Sequence, residues 1–359
     1  LSGGHDSSSV ASIAGWLQQR SNDVNVRGTV TFVDSIGEGD ERQFATAVLK
    51  KYPLESITIA DPCPWDSDGA PPPLTPMPSR DYPFWKRDRF LSAELRRRRC
   101  DALLSGIGPD YYLPLTCAHA LDLARQARVA DAAEVFTDWT IQNRSNFWRE
   151  GYRELLTPLL PVAIQRRLLR APAERPAWLR EEFLTDREFR ALQVERDVIR
   201  GWAGAVCTER VAKRFTEIPG GLQGWRHLEV SLRHPLLHLP LVQFCLSLDW
   251  RHRTSFSQPK PILRRAMAGI VPDVILDRHT KGSLVLPRVV WAFRHHRGRL
   301  RLLLKNPILG DLGVIEPARV EQAIDDAAAG RISARHLYFA LSLETWLSAR
   351  AKRPELMAA

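Results

Sequence analysis

The sequence predicts an α/β protein, a parallel sheet with helices on both faces followed by a mostly helical carboxyl half. Three observations predict it. Strand-like and helix-like segments alternate over the first 120 residues, the order expected of parallel strands joined by crossover helices. Beyond residue 120 the pattern turns helical, with several Arg-rich amphipathic stretches. Two glycine-bearing turns, SGGHDSS at residues 2–8 and SGIGPDYY at residues 105–112, fall where such sheets bind ligands, at the carboxyl ends of strands.

Val10, Ile13, Ala14 and Leu17 recur at i, i+3, i+4 and i+7, so a helix is expected to start near Ser7 or Ser8. Ser and Asp side chains there can accept the free N–H groups of its first turn. Residues 24–33 (VNVRGTVTFV), rich in Val and Thr, read as a strand. Residues 42–51 put Phe44, Ala45, Val48 and Leu49 on one helical face, and residues 56–60 (SITIA) form the next strand. The Pro-rich run at 61–83 has little periodicity and reads as a long surface excursion. Trp65 within it, and Trp85 after it, could touch a substrate, although packing of the loop onto the body is the commoner use. Arg96 to Arg99 read as a solvated helix end, where cations complement the dipole, ahead of a short strand at 102–104. Residues 155–174 resemble a helix–Pro–helix connection, and no internal repeat is visible.

Composition narrows the function classes. The chain has 359 residues, a net charge of +10, and 44% hydrophobic and 26% charged residues, which is ordinary for a globular protein. No apolar run approaches the ~18–20 residues of a membrane span, and no signal peptide is visible. Five cysteines, odd in number and without CxxC spacing, argue for a reducing compartment and against a zinc site or disulfide scaffold. These features predict a cytoplasmic protein. The Arg excess is dispersed and no zinc-finger, RRM or KH pattern occurs, so nucleic acid is not the expected partner; a nucleotide or an acidic peptide suits the charge.

The run at residues 2–8 carries the chemistry. Gly3 and Gly4 allow close backbone approach, and a helix N-terminus beside them makes an anion site. The hydroxyls of Ser2, Ser7 and Ser8 suit phosphate oxygens. Asp6 is repulsive to phosphate unless a cation such as Mg²⁺ lies between them. A plain helix cap uses the same residue types. Two lysines in the second half, Lys260 in QPKPILRRAM and Lys281 in DRHTKGS, would each be ordinary surface residues if taken alone.

Taken together, these segments carry a resemblance. SGGHDSS resembles the SGGxDSS pyrophosphate loop of the asparagine-synthetase-like ATP pyrophosphatases. VTFVDSIGEGDERQFATAVLKKY is similar to that family's second strand, acidic turn and helix, and LLSGIGPDYY to its SGxGxDE segment. VSLRHPLLHLPLVQFCLSL resembles its RxPFLD…VEFALSL helix, and PKPILRRAMAGIVPDVILDRHTKGS its K-x-x-LR…R-x-x-KG end. The matches run in the family's order over nearly the whole chain. No Walker A sequence is present, and SGIGPDYY lacks the third glycine of a dinucleotide fingerprint.

The resemblance implies an adenine-nucleotide alpha-hydrolase-like core at residues 1–120 and a helical remainder at 121–359 completing the same synthetase domain. It implies ATP and Mg²⁺. Ser2, Gly3, Gly4, Ser7 and Ser8 would meet the pyrophosphate, Asp6 and Asp110 the metal, and Phe32 or Val33 with Gly106 the adenosine. Lys260 and Lys281 match the two family lysines that contact phosphate and stabilise charge in the transition state. Tyr111 stands where asparagine synthetases carry a glutamate implicated in ammonia use, and Ile107 where β-lactam-forming relatives carry a tyrosine. His238 replaces the aspartate of RxPFLD.

The Arg-rich middle, with PLLPVAIQRRLLR and RPAWLREEF, is most similar to lasso-peptide cyclases. That branch implies a precursor peptide substrate, a leader-binding protein and a leader protease. Asparagine or β-lactam formation is the alternative, and a non-catalytic member of a peptide-maturation complex a further one. Relatives carry a glutaminase-type domain and a strand feeding the loop before the position of LSGG. The expectation is therefore a fragment, or a missing part supplied separately.

Overall fold

The computed structural model describes residues 1–33, 41–60, 62–66, 71–113, 117–142, 144–169, 175–198, 211, 215, 230–253, 255, 258–278 and 285–351. Helix α1 (His5–Gln18) opens the chain, and strand β1 (Thr29–Val33), helix α2 (Arg42–Lys51) and strand β2 (Ser56–Ala60) follow. Helix α3 (Trp85–Arg97) leads into strand β3 (Ala102–Leu104) and the single-turn helix α4 (Pro109–Tyr112). A last strand, β4 (Ser231–Arg233), comes from the carboxyl half.

Strands β1 and β2 pair in parallel, with Thr29 opposite Ser56 and Val33 opposite Ala60; β3 and β4 pair in parallel, with Ala102 opposite Ser231. The single sheet expected from the sequence is therefore two parallel pairs among the described residues. Between them lies an apolar cavity of about 600 Å³, walled by Thr29 and Val30 of β1, Ala102 and Leu103 of β3, and Val10 and Ala14 of α1.

Three local expectations shift for physical reasons. Helix α1 starts at His5, earlier than Ser7 or Ser8. Gly4, not a serine, is its N-cap, and the Gly4 carbonyl accepts the Ser8 N–H at 3.0 Å to close the first turn. Strand β1 begins at Thr29 rather than Val24. Gly28 adopts φ +144°, and a Cβ there would lie 2.8 Å from the Glu55 carbonyl, so the chain enters the sheet through a glycine-only bend. Strand β4 lies in a region read as helical; three residues are too short to show a period of two.

The carboxyl end is a block of helices. Val285–His295, Pro317–Ala328 and Ala334–Ala351 pack around Phe293, Leu300, Val320, Leu337, Tyr338 and Leu341, all at most 1% exposed. Trp65, in the Pro-rich segment, joins this core: it is 3% exposed, its Nε1 donates to Thr345 Oγ1 at 3.0 Å, and its ring stacks on Phe293 at 5.8 Å. Trp85 is buried in the same cluster. Both tryptophans pack the body. Among the described residues no helix is long and apolar enough to cross a membrane.

Candidate active site

The loop before α1 folds on its own hydroxyls. Ser7 Oγ accepts the Ser2 N–H at 3.1 Å and lies 2.9 Å from Ser2 Oγ, while Ser2 Oγ accepts the Gly4 N–H at 3.4 Å. Gly3 has φ +76°, and a Cβ there would fall 2.7 Å from Phe44 Cβ and 3.0 Å from the Glu41 carbonyl. Only glycine lets this turn lie against the start of α2. Ser2, Gly4 and Ser7 are accessible. Ser8, expected to face a phosphate, is fully buried with its Oγ turned into the protein, because the helix begins earlier and rotates it inward. Ser8 is thus removed from the ligand-facing set.

A second loop crosses over the first. A Cβ on Gly106 would stand 2.5 Å from Ser7 N and 2.7 Å from Ser7 Cα, so residue 106 must be glycine for the SGIG backbone to cover the N-terminus of α1. Gly108 has φ +148° and would clash with the Leu236 carbonyl at 2.7 Å. The β3–β4 pair explains that contact, since it carries residues 234–236 beside residues 105–108. Ser105 Oγ lies 2.5 Å from His234 Nδ1, and Tyr112 Oη donates to the Leu236 carbonyl at 2.8 Å. Burial lowers the His234 pKa and raises that of Tyr112.

Lys260 is drawn to the same place. Its Nζ is 2.5 Å from Asp6 Oδ2 and 2.5 Å from Asp110 Oδ1, so one ammonium bridges a carboxylate from each glycine loop. The Lys260 and Asp6 side chains are 11% and 14% exposed, and Asp110 is open at 53%. The Lys260 backbone is left-handed, φ 56° and ψ 54°, directly before Pro261 at the start of the helix Pro261–Ala266. A non-glycine residue in that region costs about 1–3 kcal/mol and persists only where its surroundings over-determine it; proline next in sequence makes it less favourable still.

Two arginines brace this cluster. Arg264 donates to the carbonyls of Pro259 (2.9 Å), Leu276 and Arg278 (2.6 Å), tying the Lys260 turn to residues 276–278. Arg278 donates to the Gly3 carbonyl at 3.2 Å and to Glu41 Oε1 at 2.5 Å, and its guanidinium lies 4.3 Å from the Phe44 ring centroid. Burial, reinforced by the charges of Arg264, Lys260 and Arg278 against the opposing pull of the Leu276 carbonyl, lowers the His5 pKa to about 4, so His5 is neutral at pH 7.

The sequence assigned no role to Arg264, Arg278, Glu41, Ser105 or His234. Arg264 and Arg278 lie inside the K-x-x-LR…R-x-x-KG pattern, Glu41 in the segment similar to the family's acidic turn and helix, Ser105 at the head of SGIGPDYY and His234 inside VSLRHPLLHLPLVQFCLSL, so those segments were the available signal. Among the remaining candidates, Phe32 and Val33 end β1 and are half-buried, with Arg87 5.3 Å from the Phe32 ring centroid. The Tyr111 ring lies 6.1 Å from that of Phe215, and Lys281 falls outside the described residues.

Asp6 and Asp110 suit Mg²⁺. Each brings an oxygen to one cation, the Lys260 ammonium, and Mg²⁺ is typically held by one or two carboxylates, with phosphates and water completing its shell. Among the described residues no group of three or more His, Cys, Asp or Glu forms a dedicated metal cage.

Residues 226–348 match the family model described as asparagine synthase. No curated protein matches the chain. The matched stretch contains β4, His234 and the Lys260 to Arg278 bracing, and so covers the carboxyl-half side of the site. It supports an asparagine-synthetase-like family and, in general terms, an ATP-dependent amide-forming synthetase.

Proposed function

We propose that the protein is an AMP-forming amide synthetase that adenylates a carboxylate with ATP and passes the acyl group to an amine. The observation that carries this reading is the meeting of Asp6, Asp110 and Lys260 at the accessible N-terminus of α1, under a glycine backbone that admits no side chain. A carboxylate lacks a usable leaving group. Its attack on the α-phosphate supplies one and expels pyrophosphate, and in-line transfer of this kind is driven by positioning and charge neutralisation.

In this reading, Ser2, Gly4 and Ser7 bind and orient the pyrophosphate at the positive end of α1, and the buried Gly3 shapes the turn that presents them. Asp6 and Asp110 hold Mg²⁺, which when bound offsets phosphate charge. Phe32, Val33 and Gly106 flank the adenosine. Lys260 and Lys281 stabilise charge that builds on the α-phosphate and the acyl oxygen.

The finer proposal is ring closure of a ribosomal precursor peptide, with its N-terminal amine attacking an adenylated Asp or Glu side chain. A leader-binding protein and a leader protease are then the expected partners. Tyr111 supports this over ammonia use, since a neutral phenol replaces the glutamate implicated in it. Asparagine formation is the second reading, favoured by the description of the matched family.

The test is ATP–pyrophosphate exchange and AMP release by the intact protein, with a candidate precursor peptide in one arm and aspartate plus ammonia in the other. Exchange dependent on the peptide supports the finer reading. Asparagine production replaces it with the second, and no exchange with any carboxylate overturns the synthetase itself.

A further inference from the structure

We propose that Lys260 is a resident counter-ion: it holds Asp6 and Asp110 together in the metal-free site, is expelled from between them when a divalent cation enters, and is thereby released toward a nucleotide's phosphates. The last step rests on the nucleotide reading above; the first two do not.

The two carboxylates come from different loops, which the crossing of the SGIG backbone over Ser7 already brings close. Asp6 lies in the first turn of α1 and Asp110 in the first turn of α4, and each is fixed by its own helix. With the shared Nζ 2.5 Å from an oxygen of each, those oxygens are at most twice that distance apart. Like charges so close, one of them largely removed from water, repel strongly unless a cation stands between them. Lys260 supplies such a cation, its Nζ in contact with one oxygen of each carboxylate. The position already holds a cation in the metal-free state, which suits a divalent one arriving later.

A divalent ion and the ammonium cannot share the position. An ion bound to both oxygens at ~2.1 Å would lie within contact distance of Nζ or repel it across the gap. One of the three groups must leave, and Lys260 is the one built to do so. It has a four-carbon stem with freely rotating donors, whereas the carboxylates ride on helix starts. Among the described residues, the arginines beside it are committed elsewhere: Arg264 to the carbonyls of Pro259 and Arg278, Arg278 to Glu41 and the Gly3 carbonyl. The left-handed backbone of Lys260 before Pro261 fits a residue held in place by its ion pairs, strained in a way that their loss would relieve.

The experiment reads metal binding and lysine exposure, not turnover. Mn²⁺ without nucleotide is titrated by electron paramagnetic resonance into the wild-type protein and into Lys260→Met. Removing the competing ammonium should tighten Mn²⁺ by about tenfold or more. In parallel, the wild-type protein is treated with an amine-reactive reagent and labelling at Lys260 is followed by mass spectrometry. Mn²⁺ alone should raise labelling of Lys260 severalfold, and a lysine that merely repels the metal from a fixed position would show no such change.

Unchanged labelling on Mn²⁺ binding overturns the proposal even if the Met variant binds metal more tightly. Calorimetric titration of Mg²⁺–ATP separates the two readings. If Mg²⁺–ATP binds while Lys260 labelling stays flat, the counter-ion role fails and the nucleotide site stands. If Mn²⁺ exposes Lys260 and ATP does not bind, the counter-ion role stands and the nucleotide reading falls.

Discussion

The helical block at residues 285–351 and the cluster around Asp6, Asp110 and Lys260 are built on opposite terms. In the block, long helices close in sequence bury apolar side chains against one another, and its one deeply buried carboxylate is fully employed. Glu344, 0% exposed, accepts the N–H groups of Ile308 (3.0 Å) and Leu309 (2.8 Å) at the start of a short helix. In the cluster, the first turn of the fourteen-residue α1 and the single-turn α4 bring like charges together, a lysine is held in a left-handed conformation, and glycine is needed where the SGIG backbone meets Ser7. One region gains stability from packing, and the other spends part of it on geometry. Sites that do chemistry are where local rules are expected to break.

The sharpest break of this comparison is Phe293→Ala in the block. Phe293 is 0% exposed and stacked on Trp65. Removing it should lower unfolding free energy by about 3–5 kcal/mol, measured by denaturant titration. Metal and nucleotide binding by the molecules that stay folded should be unchanged. A loss of binding beyond the loss of folded protein would mean that the block and the site are coupled.

Next in size is Asp110→Asn, which removes one of the paired charges. Loss of an outer partner of a metal ligand costs about 10–100-fold in affinity or activity, so loss of a direct ligand should lower ATP–pyrophosphate exchange by at least about a hundredfold. Stability should move by no more than about 1 kcal/mol, because Asp110 is half-exposed and its removal relieves repulsion from Asp6. A stable variant that retains exchange would take Asp110 out of the metal set.

Gly106→Ala probes the crossing of the two loops. The added Cβ meets backbone at 2.5 Å and 2.7 Å, which no side-chain rotation relieves, and overpacking of this sort costs about 1–3 kcal/mol. A variant of wild-type stability would show that the SGIG turn does not rest on the loop before α1.

How much of this was legible in the sequence follows the same division. Helix Arg42–Lys51 and strand Ser56–Ala60 match their sequence patterns, since each carries its own period or β-branched composition; Ala102–Leu104 matches only as an apolar run ahead of the SGIG turn. Strand β4 did not show, because a three-residue strand depends on its partner and not on its own pattern. In the site, the glycines and acids stood out as residue types. What Lys260 touches did not, because its partners are set by tertiary contact. Ser8 was misread for a local reason, the helix starting at His5 and turning that hydroxyl inward. What Arg278 touches is likewise set by the fold, which brings Gly3 and Glu41 to it.

The smallest effect is a pH slope belonging to His234, which joins the two loops through Ser105. Burial lowers its pKa below the ordinary 6.5, so the folded protein keeps the ring neutral at a pH where the unfolded chain already protonates it. The unfolded state then binds more protons, and stability rises with pH across that window. Stability should therefore be complete above about pH 6.5 and decline as the pH falls toward the lowered value. His5 and His296, also lowered by burial, add slopes of the same sign, so the informative quantity is a difference between proteins. Asp131 and Asp326, held below the usual carboxylate range chiefly by Arg128 and Arg331, lose their contribution only as pH approaches the carboxylates' ordinary value near 3.8. Denaturant midpoints of wild type and His234→Gln, taken between pH 7 and pH 5, isolate the histidine, because glutamine can still accept from Ser105 but does not titrate. The wild-type midpoint should fall more steeply than that of the variant. Parallel curves would mean that His234 takes up its proton in the folded state as readily as in the unfolded, and that the contact between residues 105 and 234 tolerates a charge.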